Sequence, residues 1–161
     1  MRRLIVPLVA LVVVPSATAA FSVTLNSTSP QTFTAITLNG VDQTKTLPIT
    51  ITVANTGGTS GVGWNVTAAA AAPTSAAGTL SPLKVTAVSA AACTGGGCIG
   101  PTNNVAVPVT LSSTAAKIFN AAAGTGTGSV VLTATLQMTY DAKALPATYT
   151  SSLTVTGATG P

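Results

Sequence analysis

Along most of this chain apolar and polar residues alternate one for one. Leu47, Ile49, Ile51 and Val53 alternate with Pro48, Thr50, Thr52 and Ala54. Trp64, Val66 and Ala68 alternate with Asn65 and Thr67, and Leu83, Val85 and Ala87 with Lys84 and Thr86. Val105, Val107, Val109 and Leu111 alternate with Ala106, Pro108 and Thr110. The longest run sets Val130, Leu132, Ala134, Leu136, Met138 and Tyr140 on one side, against Thr133, Thr135, Gln137 and Thr139 on the other. Tyr149, Ser151, Leu153 and Val155 make the last such series. A period of two is that of a strand with one face on a core and the other in water. Residues 21–25 and 33–38 are predicted as shorter strands.

The segments between these runs carry turn chemistry. Asn39-Gly40 and Asn55-Thr56-Gly57-Gly58 supply residues that accept positive φ. Gly124-Thr125-Gly126-Thr127-Gly128 reads as a flexible entry to the longest strand. Pro48 and Pro108 lack an N–H for the ladder, so their strands are expected at edges or bulged. The alanine-rich stretches 68–72 and 90–92 have no amphipathic helical period and are read as strand ends or loops. Residues 113–123 are the one place where a short helical turn is expected, pinned by Ile118 and Phe119. The whole predicts an all-β fold, an antiparallel Ig-like or Greek-key β-sandwich of about 7–9 strands.

The N-terminus departs from this pattern. Met1-Arg2-Arg3 precedes an apolar run over residues 4–14, then Pro15-Ser16-Ala17-Thr18-Ala19-Ala20. A basic start, a short apolar stretch and an A-x-A site describe a secretory signal peptide. A membrane-spanning helix needs about 20 apolar residues. Residues 1–20 are therefore read as a leader and 21–161 as a single domain, exported and then secreted, extracellular or wall-associated, with no membrane span. A sortase signal would need glycine where Tyr149 follows Leu145-Pro146-Ala147-Thr148.

Composition narrows the function. The 161 residues are 5% charged, 47% hydrophobic and 4% aromatic, with no histidine. Soluble domains run near 25% charged. Beyond the leader, Lys45, Lys84, Lys117 and Lys143 stand against Asp42 and Asp141, a net charge of +2 with no arginine. Four scattered lysines make no basic patch, so nucleic acid is not an expected partner. Without histidine there is no imidazole base and no imidazole metal ligand. Ser60, in Gly58-Thr59-Ser60-Gly61-Val62, lacks the closing glycine of a nucleophile elbow. The glycine run at 124–128 lacks the strand-to-helix setting of a dinucleotide fingerprint. Asp42 and Asp141 flank turns and are read as solvated carboxylates. The expected protein is not an enzyme and has no cofactor, metal or catalytic residues. Cys93 and Cys98 bracket Thr94-Gly95-Gly96-Gly97; in an exported protein an isolated pair reads as a disulfide.

Two stretches resemble a known family. Leu145-Pro146-Ala147-Thr148-Tyr149-Thr150-Ser151-Ser152-Leu153-Thr154-Val155-Thr156 is similar to the segment that closes WxL-domain surface proteins of Gram-positive bacteria, with Val155 near the place of their second tryptophan. Gly63-Trp64-Asn65-Val66-Thr67 resembles the family's first motif, with valine in place of leucine. The resemblance implies a wall-associated protein bound non-covalently to peptidoglycan or another wall polysaccharide. Trp64 and Tyr149 are then the candidate glycan contacts, since an exposed ring stacks on a sugar face. Alternation argues that both are core anchors instead, because Trp64 shares a side with Val66 and Tyr149 with Leu153. The competing function is a structural subunit of a surface fibre or coat. Such subunits assemble by strand addition, with Phe21 to Leu25 as the strand that could be donated.

Overall fold

The computed structural model describes residues 8–13, 21–26, 30–56 and 62–160. The predicted leader cleavage site, the glycines 57 and 58 and Ser60 lie outside the described residues. Thirteen strands and no helix are present among those described. One sheet contains, in order, β11 (Ala116–Ala121), β5 (Trp64–Ala70), β13 (Ser151–Thr159), β1 (Leu8–Val13) and β3 (Gln31–Thr32). The other runs β10 (Val109–Thr110), β8 (Lys84–Ala90), β12 (Thr127–Tyr140), β4 (Gln43–Asn55) and β2 (Phe21–Leu25), with β9 (Thr94–Ile99) also on β12. A small ribbon of β6 (Thr74–Ser75) and β7 (Gly78–Thr79) is tied to the residue before β13 by an antiparallel bridge between Thr74 and Thr150. The all-β sandwich-like fold expected from the alternation is the one observed.

The longest pairing follows from the longest pattern. β12 and β4 stay antiparallel in unbroken register from Gly128↔Asn55 to Tyr140↔Gln43. Val130, Leu132, Ala134, Leu136, Met138 and Tyr140 are each at most 1% exposed. A one-residue slip would turn that whole set to water, so the pattern itself selects the register. Ile49, Ile51 and Val53 of β4, Trp64, Val66 and Ala68 of β5, and Leu153 and Val155 of β13 complete one core cluster. Pro48 sits within β4 opposite Thr135 without breaking the ladder.

Several expectations change. Residues 113–123 form no helical turn; 116–121 are strand β11, antiparallel to β5. A register shift between Lys117 and Phe119 lets Ile118 and Phe119 both be buried, at 0% and 3% exposure. A bulge, not a helix, brings neighbouring apolar residues inside. The strand expected over 33–38 does not form: β3 ends at Thr32, and Phe33 and Ile36 are buried from an irregular segment. The run from Val105 to Leu111 yields only β10, immediately after Pro108, which has no N–H to offer. In β8 a register shift opposite Thr135 and Leu136 ends the alternation, so Ala87 is exposed while Leu83 and Val85 are buried. The alanine-rich stretches are strand ends, as expected.

Tyr140 carries a cost within this core. Its side chain is 0% exposed, and the hydroxyl has no hydrogen-bond partner among the described residues. Burial pushes its pKa up from 10.0 to about 12. The folded state therefore holds the phenol neutral at a pH where the unfolded chain ionises. Stability is intact below about pH 10 and falls by roughly 2–3 kcal/mol as pH climbs to about 12. Tyr140→Phe removes this slope and leaves stability at pH 7 equal or higher, because a buried hydroxyl without a partner contributes nothing favourable. Urea midpoints at pH 7 and pH 11 for both proteins measure the difference.

Candidate functional site

Trp64 opens β5 with its indole in the core at 0% exposure. The ring lies between Phe21 and Phe119, with centroids 6.3 and 5.7 Å away. Its Nε1–H donates to the Gly126 carbonyl at 2.7 Å, and the Asn55 side-chain amide donates to the same oxygen at 3.0 Å. Gly126 holds φ +72°, and a side chain there would run into the indole and Ala121. The glycine run before β12 is thus not a loose entry but a fixed support for the tryptophan.

Tyr149 is 1% exposed and its hydroxyl donates to the Leu145 carbonyl at 2.9 Å. That backward bond from a tyrosine near a strand start resembles the tyrosine corner of immunoglobulin-type sandwiches. Neither Trp64 nor Tyr149 turns a face to solvent, so neither offers a stacking platform. Both act as core anchors, the alternative that alternation favoured. Asp42 and Asp141 sit at one end, where Gln43 pairs with Tyr140. Asp42 Oδ1 accepts from the Ala142 N–H at 2.7 Å, and Asp141 Oδ1 accepts from the Ser81 hydroxyl at 3.0 Å. These bonds brace the turn. A cavity of about 160 Å³ lies beside Asp141, Lys143 and Tyr149.

Cys93 and Cys98 are joined in a disulfide, with Cα atoms 6.0 Å apart. The bridge ties a glycine hairpin in which Gly95 and Gly97 take φ of 111° and 69°. That hairpin, β9, lies on β12 through Thr127↔Ile99 and Ser129↔Thr94. Thr127 holds it from both sides: its Oγ accepts from the Ile99 N–H at 2.8 Å and donates to the Gly97 carbonyl at 3.2 Å. Gly128 permits the close approach, since a Cβ there would stand 2.6 Å from the Thr94 carbonyl oxygen and 2.8 Å from Cys98 Cβ. The closed loop is short, so the bridge contributes only about 2 kcal/mol by loop entropy. A Cys93→Ser/Cys98→Ser protein is expected to fold and to lose at most about that much in urea titrations. Global unfolding of this variant would mean that the hairpin supports the core.

Between hairpin and sheet lies a cleft of about 610 Å³. Its walls include Asn55, Thr56, Gly96, Thr127 and Ser129, with no charged side chain among the lining residues. Ile99, 48% exposed, adds an apolar surface. Hydroxyls and main-chain groups beside one aliphatic face suit a neutral polyhydroxyl molecule, whose rings have polar edges and apolar C–H faces. The alternation rules that located the core carry no signal for this cleft. The only trace in the sequence is three glycines held between two cysteines. No group of three or more His, Cys, Asp or Glu side chains could hold a metal among the described residues. No helix of the described residues is long and apolar enough to cross a membrane. No protein-family model matches this chain, and no curated protein matches it significantly.

Proposed function

We propose that this is an exported, non-catalytic surface protein that binds cell-wall glycan, peptidoglycan in particular, without a covalent link. The observation that carries the reading is the uncharged cleft at the disulfide hairpin, with its hydroxyl, main-chain and aliphatic lining. The similarity of the Trp64 and Tyr149 motifs to those of WxL domains supports the choice of wall polymer. In this reading the two aromatic residues build the scaffold and the hairpin makes the contact. Weak attraction of four lysines to anionic wall polymers adds a salt-sensitive component.

The test is co-sedimentation of the mature protein with purified peptidoglycan. Gly96 is the position to alter: a Cβ there meets nothing within 4 Å, and its φ is not left-handed. Gly96→Glu places bulk and negative charge in the cleft without straining the hairpin. Native protein is expected to pellet, and the variant to pellet at least tenfold more weakly with an unchanged circular dichroism spectrum. Equal pelleting of the two places the contact elsewhere. Failure of the native protein to pellet removes the wall-binding reading itself.

A further inference from the structure

Of the strand pairings described, nine are antiparallel and one is parallel: β1 on β13. The register runs from Val9↔Ser151 to Val13↔Val155. On its other side β1 meets β3, at Leu8↔Thr32 and Val9↔Gln31. β1 is thus an inner strand of its sheet, flanked by β13 and β3. Its sequence, Leu-Val-Ala-Leu-Val-Val, is the apolar stretch of the segment that the sequence marks as a leader.

Removing the leader empties that position. β13 and β3 would then face each other across a gap one strand wide, about 10 Å at the usual strand spacing. The main-chain groups of β13 along residues 151–155 would lose their partner on that side, while β5 still pairs with β13 from Leu153 onward. An open edge of this kind is a template for strand addition.

We infer that in the processed protein this gap is a docking site for an extended segment of another exported protein. The segment is about six aliphatic and β-branched residues long and runs parallel to β13. The chemistry is read from the strand seated there, both in composition and in direction. A second copy fits poorly on two counts. Phe21–Leu25, which the processed chain would have to donate, is already β2, paired with β4 from Phe21↔Asn55 to Leu25↔Ile51. Its Phe21, Val23 and Leu25 are only 3–4% exposed. Two β13 edges meeting about a two-fold axis would run antiparallel, against the observed direction. The inference rests on leader removal and not on glycan binding.

The experiment uses the exported protein, its N-terminus established by mass spectrometry, and a synthetic peptide of residues 8–13 flanked by lysines. Amide hydrogen exchange is followed at the alternate amides of residues 151–155 that point to the vacated position and not to β5. The expected result is rapid exchange without peptide and at least tenfold slower exchange with it. A spin label on the peptide's N-terminal end should broaden amides near Ser151 more than those near Val155. The same peptide with proline in place of Leu11 should not protect. If the exported chain is unfolded alone, the peptide should restore its β-sheet circular dichroism. Four results overturn the inference: a retained leader, protection in the monomer without peptide, protection that rises with protein concentration alone, or no response to the peptide.

Discussion

Trp64→Ala is expected to be the most damaging aromatic truncation in the chain. Trp64 is completely buried, sits between Phe21 and Phe119, and shares the Gly126 carbonyl with Asn55. Cutting so large a side chain from a packed core costs about 3–5 kcal/mol. Against a typical total of about 5–15 kcal/mol, that leaves a marginal or unfolded protein. Trp64→Phe keeps much of the ring volume and leaves the Gly126 carbonyl with the Asn55 donor, so it should lose clearly less. Urea titration followed by circular dichroism measures both, because Trp64 is the only tryptophan and its fluorescence disappears with it. A stable Trp64→Ala protein that has lost only peptidoglycan binding would return the ring to the role of ligand contact.

Gly157→Val is the second large effect. Gly157 lies in β13 on the face that looks across to β2. A Cβ there would collide with Val23 Cγ2 and stand 3.1–3.2 Å from two ring carbons of Phe21. The backbone conformation is not left-handed, so packing alone makes the position intolerant. Both neighbours are buried and cannot swing into solvent, at 4% exposure for Val23 and 3% for Phe21. Overpacking of this sort costs about 1–3 kcal/mol and more when nothing can yield. Ala158→Val, one residue on and exposed, is the control and should stay within about 0.5 kcal/mol of the native protein. Similar midpoints for the two variants would show that the sheets part easily at this point.

Much of the fold was legible because strands announce themselves by alternation. The inward set of β12 was readable residue by residue from Val130 to Tyr140, since a continuous period of two admits only one burial pattern. The disulfide was legible too, from an isolated pair of cysteines in a chain whose N-terminus reads as a secretory leader. The candidate site was not. Trp64 and Tyr149 drew attention as rare aromatics in motif-like surroundings, yet a lone aromatic reads the same whether it anchors a core or stacks on a sugar. The cleft is made of threonine, serine, asparagine and glycine, residue types spread throughout this chain, and only their convergence sets these ones apart.

By itself the sequence determined the all-β class, the inward face of each long strand, the charge-poor surface chemistry and the cysteine pair. These depend on residue type and on spacing along one strand. Tertiary structure decided what depends on partners. Lys117 and Phe119 straddle a bulge because β5 lies alongside, so an expected helical turn is a strand. Gly124 to Gly128 is held in place because its Gly126 carbonyl meets an indole and an amide from distant strands. The apolar segment Leu8–Val13 fills a strand position beside β13, where Ser151 to Val155 provide a ladder. Hydrogen-bond partners and neighbouring volumes come from elsewhere in the chain, and local spacing does not encode them.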